Sequence, residues 1–143
     1  MKIIRRLEKK EIDVVIQIWF EANKRAHDFI PESYWLGKFD EVKDILPQAE
    51  VYVYEIDNEI KGFIGLTDNY IAGIFIASEC QSKGIGKELL CYAKEKKENL
   101  SLSVYIKNSR AINFYKRENF KVISENLDEN TGEKEFYMTW ESK

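Results

Sequence analysis

Apolar residues recur at three- and four-residue spacing between Glu8 and Lys24: Ile12, Val15, Ile16 and Trp19, with Phe20 widening the stripe. That spacing predicts an amphipathic helix. Ahead of it, Ile3-Ile4 predicts a short strand ending at Arg5-Arg6. Ala26 to Trp35 is less regular and contains Pro31, whereas Phe39, Val42, Ile45 and Leu46 predict a short second helix closed by Pro47. Val51 to Ile56 and Ile60 to Leu66 predict a hairpin around Asp57-Asn58-Glu59. Gly62 and Gly65 interrupt its second strand and point to close packing by a neighbour or to a bulge. Tyr70 to Ala77 is apolar nearly throughout, the pattern of a central strand covered on both faces.

A helical pattern returns from Gly84 to Lys97, with Ile85, Leu89, Tyr92, Ala93 and Lys96 along one side. Leu100, Leu102 and Val104 alternate with Ser101 and Ser103, which predicts a strand from Leu100 to Ile106. Ser109 to Glu118 predicts a short helix. Phe120 to Leu127 and Glu133 to Trp140 predict two strands around the polar loop Asp128 to Gly132. The order is strand, two helices, three strands, helix, strand, helix, two strands. It predicts a mixed α/β (α+β) fold, one domain over residues 1–143, with a largely antiparallel sheet. The repeated βαβ units of a doubly wound dinucleotide fold are missing.

Composition narrows the function classes. Lys and Arg total 22 against 25 Asp and Glu, a formal charge of −3, so no strongly basic nucleic-acid footprint is expected. Cys80 and Cys91 form neither a disulfide framework nor a CxxC pair, which fits free thiols in a reducing compartment. Met1 to Arg6 lacks the apolar run of a signal peptide, and no stretch approaches the ~18 apolar residues of a membrane span. A cytoplasmic protein with no membrane partner is expected. His27 is the only histidine, which disfavours a histidine-based metal site, and no metal is expected.

The most informative segment is Gln81-Ser82-Lys83-Gly84-Ile85-Gly86-Lys87. It follows an apolar strand and opens an amphipathic helix. A helix N-terminus offers unpaired N–H groups and the positive end of the helix dipole, and glycines let a ligand approach the backbone. Such a turn can cradle a phosphate. The same glycines can equally do no more than tighten the start of a helix. A P-loop would need Ser or Thr after its Lys, but Glu88 follows Lys87, and the dinucleotide pattern Gly-x-Gly-x-x-Gly is not present.

This segment resembles the pyrophosphate loop of the GCN5-related N-acetyltransferases (GNAT), Gln/Arg-x-x-Gly-x-Gly/Ala. Ile74-Phe75-Ile76 is similar to the family's central strand before that loop. Asn108, Ala111, Phe114, Tyr115 and Phe120 resemble a second signature, Asn-x-x-Ala-x-x-Phe-Tyr-x-x-x-Gly-Phe, with Asn119 in place of its glycine. Ser78 stands where many members have proline. The two signatures fall in the family's order with one helix and one strand between them, and the element order matches from residue 1 to about 140.

The resemblance implies acetyl transfer from acetyl-CoA directly to a primary amine of a small molecule or a protein, in the splay between the two middle strands. A CoA-binding sensor or scaffold that has lost transfer activity is the alternative. The pantetheine would pair with backbone groups of Ile74, Phe75 and Ile76. The pyrophosphate would sit on Gln81, Ser82, Lys83, Gly84, Ile85, Gly86 and Lys87. A bulge in the central strand would free an N–H for the thioester carbonyl. Tyr115 matches the tyrosine beside the CoA sulfur, a general acid for the thiolate, or else a packed aromatic. Asn108 matches a contact to the CoA arm and also suits a helix N-cap. His27 can titrate near neutrality and is the first candidate for base or acceptor contact. Glu79, Asp28 and Tyr105 are weaker candidates for the base. Phe29, Trp35, Tyr70 and Tyr105 would line the acceptor pocket, with Tyr34 and Tyr137 near by. The family also pairs through sheet edges or late strands, so a homodimer is allowed.

Overall fold

The structure, a computed structural model, describes residues 1–142. The elements run β1 (Lys2–Arg6), α1 (Ile12–Ala26), α2 (Glu32–Ile45), β2 (Glu50–Ile56), β3 (Glu59–Thr67), β4 (Tyr70–Ile76), α3 (Ile85–Lys96), β5 (Asn99–Tyr105), α4 (Ser109–Arg117), β6 (Lys121–Asp128) and β7 (Glu133–Glu141). The strands form one seven-stranded sheet in the order β1-β2-β3-β4-β5-β7-β6. Every neighbouring pair is antiparallel except β4 and β5, which are parallel.

Strand alternation sends successive side chains to opposite faces, and each face builds its own core. Tyr52, Tyr54, Ile64, Leu66, Leu102 and Met138 pack with Leu89, Leu90 and Ala93 of α3 and Ile112 and Tyr115 of α4. Val51, Val53 and Phe63 face the other way, onto Val15, Ile16, Trp19 and Phe20 of α1 and Trp35 of α2. Arg5 ties the start of α1 to the sheet, with Nη2 donating to Glu11 Oε2 at 2.6 Å and to Glu55 Oε1 at 2.7 Å.

The second helix is longer than its apolar pattern predicts. It begins at Glu32, so the irregular stretch before Trp35 is already helical. Pro31 stands at its N-cap, where a missing N–H costs nothing, and its carbonyl accepts from Tyr34 N–H at 3.0 Å. The pattern hides this start because Trp35 is the helix's only buried residue, while Leu36 and Ile45 are exposed.

The central strand β4 also departs from expectation. It is not covered on both faces: Gly73, Ile74, Phe75 and Ile76 are only half-buried. The cause is its pairing. Only Tyr70 and Ile71 pair with β5, opposite Ser101 and Leu102. On the other side Ile71 faces Leu66 and Gly73 faces Gly65, which leaves Ala72 as an extra residue on β4. Such a bulge bends the strand that carries it. It lies where β4 parts from β5.

Gly65 marks this bulge, and Gly62 marks a close approach, since a Cβ there would stand 2.9 Å from Ile76 Cδ1 and 3.1 Å from the Phe75 carbonyl oxygen. At the end of α4, Asn119 takes a left-handed φ of 73°, and Phe120 N–H donates back to Tyr115 O at 3.0 Å. Asparagine therefore makes the helix exit that glycine makes in the family pattern. Among the described residues no helix is long and apolar enough to cross a membrane.

Gly62→Ala is expected to push β4 off β3 and to lower the unfolding free energy by about 1–3 kcal/mol, read by urea denaturation.

Candidate active site

The divergence of β4 and β5 opens a cavity of about 1160 Å³ that runs from the loop before α3 to the loop between α1 and α2. At the α3 end, Ser82 and Gly84 take left-handed φ values of 64° and 82°, and no side chain caps the helix. Its first N–H groups are therefore free for a ligand. A Cβ on Gly86 would approach Phe114 Cζ at 3.7 Å and Ile74 Cγ2 at 3.9 Å, so glycine keeps this wall low.

Two arginines brace the loop. Arg110 Nη2 donates to Ser82 Oγ at 2.6 Å. Arg25 Nη2, reaching from α1, donates to the Ile76 carbonyl at 2.9 Å, and with its amide turned oxygen-first toward the guanidinium Gln81 accepts from Arg25 Nε at 3.2 Å and Nη2 at 2.9 Å. Arg25, Lys87, Arg110 and Arg117 all border this end of the cavity. The acidic Glu118 there is engaged, with Lys87 and Lys94 both 3.9 Å from its carboxylate. Free helix amides and four cationic side chains form a donor set that fits a pyrophosphate.

Tyr115 of α4 lines the cavity. Its side chain is 8% exposed, and among the described residues its hydroxyl is bonded to no other group. Burial raises its pKa, so the phenol keeps its proton at neutral pH.

Aromatic rings wall the far end. His27 stacks on Trp35 with centroids 5.5 Å apart and meets Tyr105 edge-on at 5.1 Å. Phe29 does not line the cavity. It backs the wall, edge-on to His27 at 5.7 Å and to Tyr105 at 5.8 Å. Asn108 holds two partners. Its Oδ1 caps α4 by accepting from Ala111 N–H at 3.2 Å. That cap orients the amide so that Nδ2 donates to His27 Nε2, 3.2 Å away. The imidazole proton then sits on Nδ1, which is buried and unpaired, as is Trp35 Nε1. Burial pushes the His27 pKa down to about 4.

The cavity thus gathers Tyr70, Ile74, Phe75, Ile76, Gln81, Ser82, Gly84, Ile85, Gly86, Lys87, Asn108, Tyr115, His27, Trp35 and Tyr105 of the sequence-predicted residues. Lys83 does not line it, nor do Asp28, Glu79, Tyr34 and Tyr137. Glu79 pairs with Lys61 at 3.2 Å on the outside. Sequence reasoning missed Arg25, Arg110, Arg117 and Glu135. Arg25 and Glu135 lie in ordinary charged runs that carry no spacing signal. Arg110 occupies a free position inside the second signature.

A seven-stranded sheet splayed at its one parallel pair, with an uncapped helix over the opening, defines an acyl-CoA N-acyltransferase fold. The model of the acetyltransferase (GNAT) domain matches residues 47–122. The peptidyl-lysine N-acetyltransferase YiaC of Escherichia coli (strain K12) is 31% identical over 140 residues, 96% of each chain. The solution structure of apo-form YjaB from Escherichia coli superimposes with a TM-score of 0.87 at 25% identity, over 98% of this chain and 97% of that one. The PaiA N-acetyltransferase from Thermoplasma acidophilum, crystallised with coenzyme A, gives 0.81 at 21% identity over 99% of each. The chain belongs to the GNAT family of acetyltransferases. It is an acetyl-CoA-dependent N-acetyltransferase, and its acceptor is an amine.

His27 generates a stability prediction. Above its ordinary pKa of 6.5 the imidazole is neutral in folded and unfolded chains alike. Below that pH the unfolded chain takes up a proton that the folded chain refuses until about pH 4. Acidification from pH 7 to 4 is therefore expected to remove about 3 kcal/mol through this group. His27→Phe should flatten that part of the pH dependence in urea titrations.

Proposed function

We propose that the acceptor is a lysine side chain of a peptide or protein, and that Tyr115 is the general acid. The observation that carries the acceptor class is the aromatic wall of His27, Trp35 and Tyr105 at the end of the cavity away from the arginines. Flat apolar rings suit the aliphatic stem of lysine and attract its ammonium head. Beyond the wall, Ser101, Ser103, Tyr137 and Thr139 are paired across β5 and β7 and are all half-exposed, leaving polar surface for a polypeptide. Two relatives, YiaC and YjaB, carry the name peptidyl-lysine N-acetyltransferase, which supports the same class.

Acetyl-CoA supplies an acetyl group activated as a thioester. In this reading the helix amides from Ser82 to Lys87, with Arg25 and Arg110, hold the pyrophosphate, and β4 backbone groups of Ile74, Phe75 and Ile76 hold the pantetheine. The bulge at Ala72 supplies an N–H toward the thioester carbonyl. Tyr115 gives its proton to the departing thiolate. His27, neutral and with Nε2 occupied by Asn108, serves as an acceptor contact rather than as the base.

Tyr115→Phe is expected to lower kcat by about 10²–10³-fold on a lysyl peptide while CoA affinity, measured by calorimetry, stays nearly constant. A variant with unchanged turnover would remove the acid from Tyr115. Arg25→Ala and Arg110→Ala are each expected to weaken CoA binding by about tenfold at low salt, with a smaller loss at high salt. Equal affinity in both variants would argue against the pyrophosphate site.

A further inference from the structure

We propose that Glu135 of β7 binds the acceptor's ammonium group and accepts the proton that must leave it before attack. The inference rests on the reading of the acceptor as a cationic amine. Glu135 lies directly across from Tyr105 in the β5–β7 register, on the face toward α1 and α2, and it lines the cavity beside the aromatic wall. The other carboxylates near this end are taken. Asp128 accepts from the Tyr105 hydroxyl at 2.6 Å and from Asn130 N–H at 3.0 Å. Glu133 pairs with Lys107 at 3.2 Å. Among the described residues the Glu135 carboxylate has neither an ion pair nor a hydrogen bond, although it is half-buried. A half-buried carboxylate without a partner is costly in an enzyme's resting state and favours a cationic ligand.

Its surroundings favour proton uptake. Burial and the negative Asp128 of β6 raise its pKa above the ordinary carboxylate range. Tyr105 of β5 lies opposite it and Tyr34 of α2 lies within reach of its charge, both as neutral phenols, with Lys38 and Glu41 of α2 beside Tyr34. Among the described residues no cation forms an ion pair with Glu135. The ammonium gives one proton to Glu135, and the freed lone pair forms the N–C bond at the thioester carbonyl carbon. As the C–S bond breaks, Tyr115 protonates the thiolate. The second proton shed by the new amide nitrogen restores Tyr115, and Glu135 releases its own to solvent. One proton leaves per acetyl group transferred.

The test compares wild-type protein with Glu135→Gln, using acetyl-CoA and a lysine-containing peptide. The variant is expected to keep wild-type CoA affinity, which shows that it is folded. It should bind the peptide at least tenfold more weakly in calorimetry with CoA present, and show a kcat/KM about 100-fold lower at pH 7. Its residual rate should climb about tenfold per pH unit toward the lysine pKa, because only amine already neutral in solution then reacts. Wild-type activity on the peptide with unchanged binding, rate and pH profile in Glu135→Gln would overturn the role of Glu135 alone. A wild-type protein that neither binds nor acetylates lysyl peptides, yet acetylates an uncharged arylamine, would overturn the acceptor class and this inference with it.

Discussion

The site depends on one interrupted strand pairing. β4 and β5 are parallel neighbours for two residues only, Tyr70 opposite Ser101 and Ile71 opposite Leu102. Past that point the extra residue Ala72 bends β4, and the strands separate. Buried backbone N–H and C=O groups require partners, so a gap in the middle of a sheet persists only where something else satisfies them. In this protein part of that demand is met by Arg25 on the Ile76 carbonyl. The rest of the gap is the cavity. The fold gains its groove by withholding hydrogen bonds from its own central strand.

The two ends of the groove differ in charge and polarity. Arg25, Lys87, Arg110 and Arg117 gather at the uncapped start of α3, where the helix dipole adds positive potential. The opposite end is aromatic, holds a neutral imidazole and has Glu135 without a counter-ion. Under the proposed function these two ends suit an anionic carrier and a cationic acceptor, and Tyr115 lines the cavity they share. The protein's net charge of −3 says nothing of this arrangement, because the separation is local.

Most of the fold was legible because most of its elements bury one face. Period-two alternation in β5 and the three-and-four stripe of α1 read directly as strand and helix. α2 was partly hidden because it buries only Trp35, which leaves no apolar stripe to read. β4 reads as fully covered although it is only half-buried, since an apolar strand facing a groove has the same composition as one facing a core. The loop at Gly84 and Gly86 and the Asn108–Tyr115 segment were legible because both match family signatures with particular residues at fixed spacing. Arg25 and Glu135 were not. Each reaches the groove only through tertiary placement, Arg25 from the last turn of α1 and Glu135 through its register opposite Tyr105.

The most direct measurement of the splay as the cofactor groove is amide hydrogen exchange with and without saturating CoA. Exchange should slow at the amides of Gly73 to Ile76 that point away from β3 and at Ile85 to Lys87, while β1 and β6 stay unchanged. Calorimetric CoA binding without added protection at Gly73 to Ile76, or with protection confined to another face of the sheet, would contradict it.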